Sequence, residues 1–151
     1  MSLGVEGHWI GIKDGDPRGL GLFRQHYSAR RYRDGRRRSL FVGPGEKMVL
    51  LTVGVDALFV WRKFLSDDDQ EGVNCAVFRN EGPVLSSDLI LEAEELAWGR
   101  WPGERLFTYV WDKKVKSVNP GYCFKKAGWD VCGRTKINRL TILEKLPVEK
   151  S

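Results

Sequence analysis

Residues 73–111 read VNCAVFRNEGPVLSSDLILEAEELAWGRWPGERLFTYVW, and three different periodicities follow one another in this stretch. Val73–Phe78 is a short apolar run rich in residues suited to a strand. In Ser86–Trp98 the apolar residues Leu89, Ala93, Leu96 and Ala97 return every three or four positions, which predicts a helix with that face buried. Glu92, Glu94 and Glu95 then fall elsewhere on the helix. Ser86 or Ser87 is suited to cap its start, Asp88 complements the helix dipole, and Gly99 with Trp101-Pro102-Gly103 ends it. Leu106–Trp111 (LFTYVW) is apolar on both faces, as expected of a strand covered on both sides. Strand, helix, strand in this order predicts a βαβ unit with parallel strands and a right-handed crossover.

Working outward, Met48–Val55 (MVLLTVGV) and Ala57–Lys63 (ALFVWRK) read as an antiparallel hairpin turning at Gly54–Asp56. Ser66–Gly72 is an acidic solvated turn. Further upstream, Leu20, Phe23 and Tyr27 place a helix over Pro17–Arg33, with Gly19 and Gly21 weakening its start. Residues 1–16 are glycine-rich and weakly patterned, with Trp9 and Ile10 anchoring a short extended piece. Downstream, a short helix over Tyr122–Ala127 precedes two strands, Asp130–Thr135 and Leu140–Glu144. The expectation is one mixed α/β (α+β) domain over residues 1–151. Its central sheet is mostly antiparallel, with one parallel βαβ unit and flanking helices. There is no internal repeat and no linker.

A chain of 151 residues with 42% hydrophobic content can bury a core without disulfides or metals. No uncharged apolar run approaches the ~18 residues of a membrane span, and no basic-then-apolar signal peptide opens the chain. Cys75, Cys123 and Cys132 are odd in number and lack C-x-x-C spacing, which indicates free, mostly buried thiols in a reducing, cytoplasmic setting. His8 and His26 are too few and too far apart to suggest a zinc site.

The net charge of +5 is concentrated. Arg30–Arg38 holds six arginines and one aspartate, so this short tract matches the charge of the whole chain. Localised positive charge is a directional field for a polyanion, and the guanidinium fork fits phosphate well. Either Arg30, Arg31, Arg36, Arg37 and Arg38 meet nucleic acid or cofactor phosphates, or they solvate a loop. A second candidate anion site is the loop Arg79–Leu85, which leaves a strand and enters a helix N-terminus. There unpaired amides and the helix dipole favour phosphate. Arg79, Asn80, Gly82, Ser86 and Ser87 are its candidate contacts. Ordinary helix capping is the other reading of the same residues.

From Leu106 onward the chain offers a strand, Asn119 opening a short helix, then Phe124-Lys125-Lys126-Ala127-Gly128-Trp129 before the last strands. This order resembles the C-terminal half of the GNAT acyltransferase superfamily, and Arg79-x-x-Gly82-x-Val84 resembles its acyl-CoA pyrophosphate loop. Residues 48–144 fit in order. The resemblance implies acetyl-CoA or another acyl-CoA as cofactor, its pyrophosphate on Arg79–Ser87, with Asn119 also a cofactor contact. The pantetheine arm would then lie between strands 73–78 and 106–111. Two departures stand out. Val84 replaces a small residue and would crowd the pyrophosphate. Phe124 occupies the place of a tyrosine that protonates the leaving thiolate, a role left empty or moved to Tyr122.

The phage Mom-like DNA-modification proteins, a divergent branch with a GNAT-type fold, are similar in further respects. His26-Tyr27-Ser28 resembles their His-Tyr-Ser element, and Asn80, Ser86 and Ser87 resemble the polar residues of their phosphate loop. Tyr109…Asp112 resembles their strand end, and Gly121–Trp129 their closing tract. The resemblance implies adenine modification in DNA, with His26, Tyr27, Ser28 and the arginines binding substrate. A base within a duplex must first be flipped out.

Single residues carry alternatives. His26 is either a general base or a partly buried structural donor. Tyr109 either meets substrate or packs in its strand. Asp112 stands at the carboxyl end of a buried strand, where open α/β sheets place their sites, or simply begins a turn. Cys123 could carry an acyl group, with no histidine near it in sequence. Lys125 and Lys126 reach cofactor phosphates or solvate a helix. Most of the tryptophans belong to the core, although one could stack on a base. The expectation is an acyl-CoA-dependent transferase acting on an amine, foremost a nucleobase in DNA, with Tyr109, Asp112 and Tyr122 as catalytic candidates. The alternative is a non-catalytic nucleic-acid-binding protein that keeps the fold.

Overall fold

The computed structural model describes residues 7–25, 45–63, 70–111, 121–136 and 139–147. Seven strands form one sheet: β1 (Trp9–Ile12), β2 (Glu46–Thr52), β3 (Ala57–Lys63), β4 (Val73–Asn80), β5 (Leu106–Val110), β6 (Asp130–Arg134) and β7 (Thr141–Lys145). Three helices accompany it: α1 (Pro17–Gln25), α2 (Ser86–Arg100) and α3 (Tyr122–Lys126). The spatial order is β1-β2-β3-β4-β5-β7-β6. All neighbours are antiparallel except β4 and β5, which are parallel and joined through α2. This is the mixed, mostly antiparallel α+β architecture expected from the sequence, with the extended piece at Trp9 adding an edge strand.

Both sheet faces are covered, which explains the unbroken apolar runs of β2 and β3. On one face Leu50, Phe59, Trp61, Cys75, Leu106 and Leu143 pack with Leu89, Ile90, Ala93 and Ala97 of α2 and Phe124 of α3. On the other, Val49, Leu51, Leu58, Val60 and Val77 pack with Leu22 of α1. Three indoles tie the first face to α2. Trp9 Nε1 donates to Leu89 O at 2.9 Å, Trp61 Nε1 to Ala93 O at 3.0 Å, and Trp129 Nε1 to Glu94 Oε2 at 2.8 Å.

Several local expectations are corrected. Strand β2 ends at Thr52, because Val53–Asp56 forms the hairpin turn, and β5 ends at Val110 rather than Trp111. Helix α1 is assigned to Pro17–Gln25; the remainder of the expected Pro17–Arg33 helix lies outside the described residues. Helix α2 passes Gly99 to Arg100, where Trp101 donates its amide to Ala97 O. Neither Ser86 nor Ser87 caps α2: Leu85 holds that position, without a side-chain bond.

The buried face of α2 is also rotated from the expected one. Leu96 is exposed, whereas Glu94 is only 2% exposed. Glu94 is accommodated because Lys145 Nζ of β7 lies 2.7 Å from Oε1 and Trp129 satisfies Oε2. A buried carboxylate is tolerated only with such partners. Burial still outweighs them and raises its pKa above the ordinary glutamate range.

Candidate functional site: a cleft where two parallel strands part

The β4–β5 ladder holds only three pairs: Val73 with Leu106, Asn74 with Phe107 and Cys75 with Thr108. Both strands continue beyond that rung, β4 to Asn80 and β5 to Val110, without pairing with each other. The cause lies on the other edge of β4. Val60 pairs with Val77 but Trp61 pairs with Cys75, so Ala76 is an extra residue, a β-bulge. A bulge bends its strand and increases the local twist. Here Cys75 and Phe78 pack on the α2 face and Ala76 and Val77 on the α1 face, so the simple alternation breaks where the strands separate. At the last rung Thr108 Oγ1 donates to Cys75 O at 2.9 Å, a side-chain bond where the ladder ends.

A cleft of about 230 Å³ occupies the gap. Its walls are Cys75, Ala76, Val77 and Phe78 of β4, Thr108, Tyr109 and Val110 of β5, and Gly121, Cys123 and Phe124 at the start of α3. Gly121 adopts φ 76°, and a Cβ there would lie 2.7 Å from Leu143 Cδ1, so only glycine lets α3 start so close to the sheet. Phe124 is buried edge-on against Phe78 and Trp129, with centroids 5.9 and 4.9 Å away. It forms wall and offers no proton. Tyr109 lines the cleft and meets Phe107 edge-on at 5.7 Å. Tyr122 is 55% exposed and is not among the lining residues.

The loop after β4 is held by its own side chains. Asn80 Oδ1 accepts from Gly82 N at 3.0 Å, while its Nδ2 donates to Val84 O at 2.8 Å and Ser86 Oγ at 2.9 Å. Asn80 is thus an internal brace, and the Ser86 hydroxyl is engaged with it. Arg79 donates to Glu81 Oε2 at 3.0 Å, and Ser87 is buried. Val84 packs against the core, so its bulk is accommodated there. Gly82 is needed for a reason the sequence did not suggest: a Cβ would overlap the Asp56 carboxylate. That carboxylate is fixed by Thr52 Oγ1 at 2.6 Å, and Asp56 O accepts from Glu81 N at 2.7 Å. The hairpin turn and the loop therefore form one unit, with the carboxylate of Asp56 against Gly82. A negatively charged group there would be repelled unless it lay nearer the helix start at Ser86 and Ser87.

Of the sequence-derived site residues, the structure brings together Tyr109 with the cleft, and Arg79, Asn80, Gly82, Ser86 and Ser87 at its β4 end. Asp112, Asn119, His26, Tyr27, Ser28, Arg30, Arg31, Arg36, Arg37 and Arg38 lie outside the described residues. Reading the sequence missed Asp56, Thr108 and Ala76 as site-building residues. A Thr four residues before an Asp in a hairpin turn was the available signal for Asp56; the small Ala76 in an apolar strand was the faint one for the bulge.

No family model, characterised protein or solved structure matches the chain.

Among the described residues there is no cluster of metal-ligating side chains, and no helix is long and apolar enough to cross a membrane. The three thiols are free: Cys75 is buried, Cys123 half-buried, and Cys132 exposed rather than buried as expected. Burial pushes the Cys75 and Cys123 thiols up from the ordinary value.

Proposed function

We propose that this chain is an acyl-CoA-dependent transferase of GNAT type acting on an amine, foremost a nucleobase in DNA. The observation that carries the proposal is the parting of β4 and β5 beyond Cys75 and Thr108, which leaves a mostly apolar cleft suited to an extended thioester arm. The cofactor's phosphates would sit at the opening of α2, on the amides of Ser86 and Ser87, rather than on Gly82 beside Asp56. An amine held against the thioester carbonyl would attack it directly. The protein would contribute position and a dry, preorganised setting. Tyr109 is the catalytic candidate whose residue lines the cleft. Asp112 and Tyr122 remain candidates on sequence grounds, the latter with its ring outside the cleft. The arginines of residues 30–38 would hold the nucleic-acid backbone, with His26, Tyr27 and Ser28 nearby in sequence.

A second reading has its own support. Asn80 already uses the Gly82 amide, and acidic Asp56 and Glu81 flank the loop, which disfavours a cofactor phosphate there and leaves the arginines of residues 30–38 to support a nucleic-acid-binding protein that keeps the fold without the chemistry. Thermal unfolding with acetyl-CoA distinguishes the two. A transferase is stabilised by saturating cofactor, and Ala76→Phe, which fills the cleft, removes the shift while the apo-protein stays folded. No shift in the unaltered protein overturns the transferase reading. Mass analysis of nucleosides from cells expressing the protein then tests the acceptor, a newly modified adenine being the expected result.

A further inference from the structure

The charge outside Arg30–Arg38 sums to zero, but it is sharply divided. Residues 46–104 hold five basic and twelve acidic residues, whereas residues 112–139 hold eight basic and two acidic. The β6–β7 hairpin shows the division along its length. At one end Asp130 pairs with Glu144, which Arg105 engages at 2.6 Å. At the other end Arg134, Lys136 and Arg139 are all exposed, and the run Arg134–Arg139 contains no acid. The fold gathers these cations. Thr135 closes the neck of the hairpin, its amide donating to Leu140 O and its hydroxyl accepting from Leu140 N, both at 2.9 Å. Lys136 and Arg139 are the next residues out on either side, and Arg134 Nη1 donates to Arg139 O at 3.4 Å. Like charges brought together in this way cost stability, and an anion relieves the cost. The basic end is also the cleft end. Arg134 pairs with Thr141, and Thr141 pairs with Val110 of the cleft wall. Two strand spacings, about 10 Å, thus separate Arg134 from Val110 along the sheet.

We propose that Arg134, Lys136 and Arg139 form a docking surface for the phosphate backbone of a nucleic acid, which they lay along the β5 side of the cleft mouth. The cations stand exposed on a hairpin rim and enclose no pocket, which suits a long polyanion better than a single phosphate. A membrane surface would call for exposed apolar side chains among the cations. Val131 and Leu146, the exposed large apolar residues described on this ribbon, lie towards its acidic end instead. The approach is one-sided. Across the cleft, Asp56, Glu81 and the exposed Asp88 and Glu95 of α2 repel a polyanion, so the strand is held from the β7–β6 side. These contacts are phosphate contacts, so they position the nucleic acid without reading its sequence. The inference rests on the nucleic-acid part of the proposed function and is independent of acyl transfer.

The test measures binding of the full chain to fluorescent DNA duplexes of unrelated sequence over a range of salt concentrations. The variant combines Arg134→Gln, Lys136→Gln and Arg139→Asn, asparagine being chosen because Arg139 has φ 54° and asparagine tolerates left-handed backbone. All three side chains are exposed, so its thermal unfolding should match that of the unaltered protein. The expected result is weaker binding to every duplex and a slope of log K against log salt shallower by about 2–3, one phosphate contact per lost cation. Photo-crosslinking then reads the side of approach. Benzoylphenylalanine at position 136 should crosslink to the duplex, and the same group at position 95 on α2 should not. If the unaltered protein binds DNA while the variant keeps its affinity and slope, this surface is refuted and the nucleic-acid reading stands. Equal crosslinking from positions 136 and 95 also refutes it. If the unaltered protein binds no duplex even at low salt, both fall. Loss of binding to anionic phosphatidylglycerol vesicles with DNA binding unchanged would assign the hairpin to a membrane surface and overturn the proposal.

Discussion

Thr108 Oγ1 donates to the carbonyl oxygen of Cys75 across 2.9 Å at the final rung of the parallel ladder. Thr108 is 4% exposed, so this bond lies where water does not compete freely. It marks the point at which a sheet of seven strands becomes two diverging ribbons.

Thr108→Val keeps the shape and removes the donor. The expected loss is about 1–3 kcal/mol, the range for leaving a buried acceptor short of a partner. Denaturant unfolding checks it, through a lower midpoint at unchanged slope.

Gly82→Ala should be destabilising although the loop is polar and half-exposed. The new methyl forces the Asp56 carboxylate off Thr52 Oγ1, a cost of about 1–2 kcal/mol by loss of a charge-assisted hydrogen bond. In an Asp56→Ala background the same change should cost much less. Equal costs in both backgrounds would show that the contact carries no energy, and a double-mutant cycle measures the difference.

The pair Glu94–Lys145 is buried on the glutamate side, with 2% side-chain exposure against 19% for the lysine. Lys145→Met leaves the carboxylate uncompensated and should cost about 3–5 kcal/mol at neutral pH. The linkage has a definite sign. The folded pKa of Glu94 is raised above its ordinary value, chiefly by burial. Its contribution is therefore fully present below the ordinary glutamate value of 4.5 and is lost as pH rises through the raised one. Relative to Glu94→Gln, the unaltered protein should gain stability as pH falls from neutral towards 4.5, as unfolding titrations at a series of pH values would read.

Replacement of Arg36, Arg37 and Arg38 by alanine should weaken polynucleotide binding and flatten its salt dependence. Each arginine that contacts a phosphate adds about 0.9 to the slope of log K against log salt on duplex DNA. Binding isotherms at several salt concentrations give that slope, and an unchanged value would remove these arginines from the interface.

Much of the architecture was legible because its signals are local. The apolar run of β4, the three-to-four spacing in α2 and the two-faced β5 gave the parallel unit directly, and Gly54–Asp56 gave the hairpin. What escaped notice depends on partners remote in sequence. Glu94 looks like a solvent residue until Lys145 and Trp129 are folded against it. Asn80 reads as a phosphate ligand in a loop before a helix, and only the folded loop shows its amide spanning Gly82, Val84 and Ser86. The bulge at Ala76 has no local marker stronger than a small side chain, yet it is where the cleft opens. The position of Phe124 was legible, and its burial against Phe78 and Trp129 explains its role as packing.

The convergence of Trp9, Trp61 and Trp129 on α2 has an optical consequence. Indole emission shifts to longer wavelength on hydration, so any event that lifts this helix from the sheet would redden the intrinsic fluorescence, with three of the six tryptophans responding together. The molecule thereby carries its own dye-free gauge of how firmly that helix is seated on the sheet.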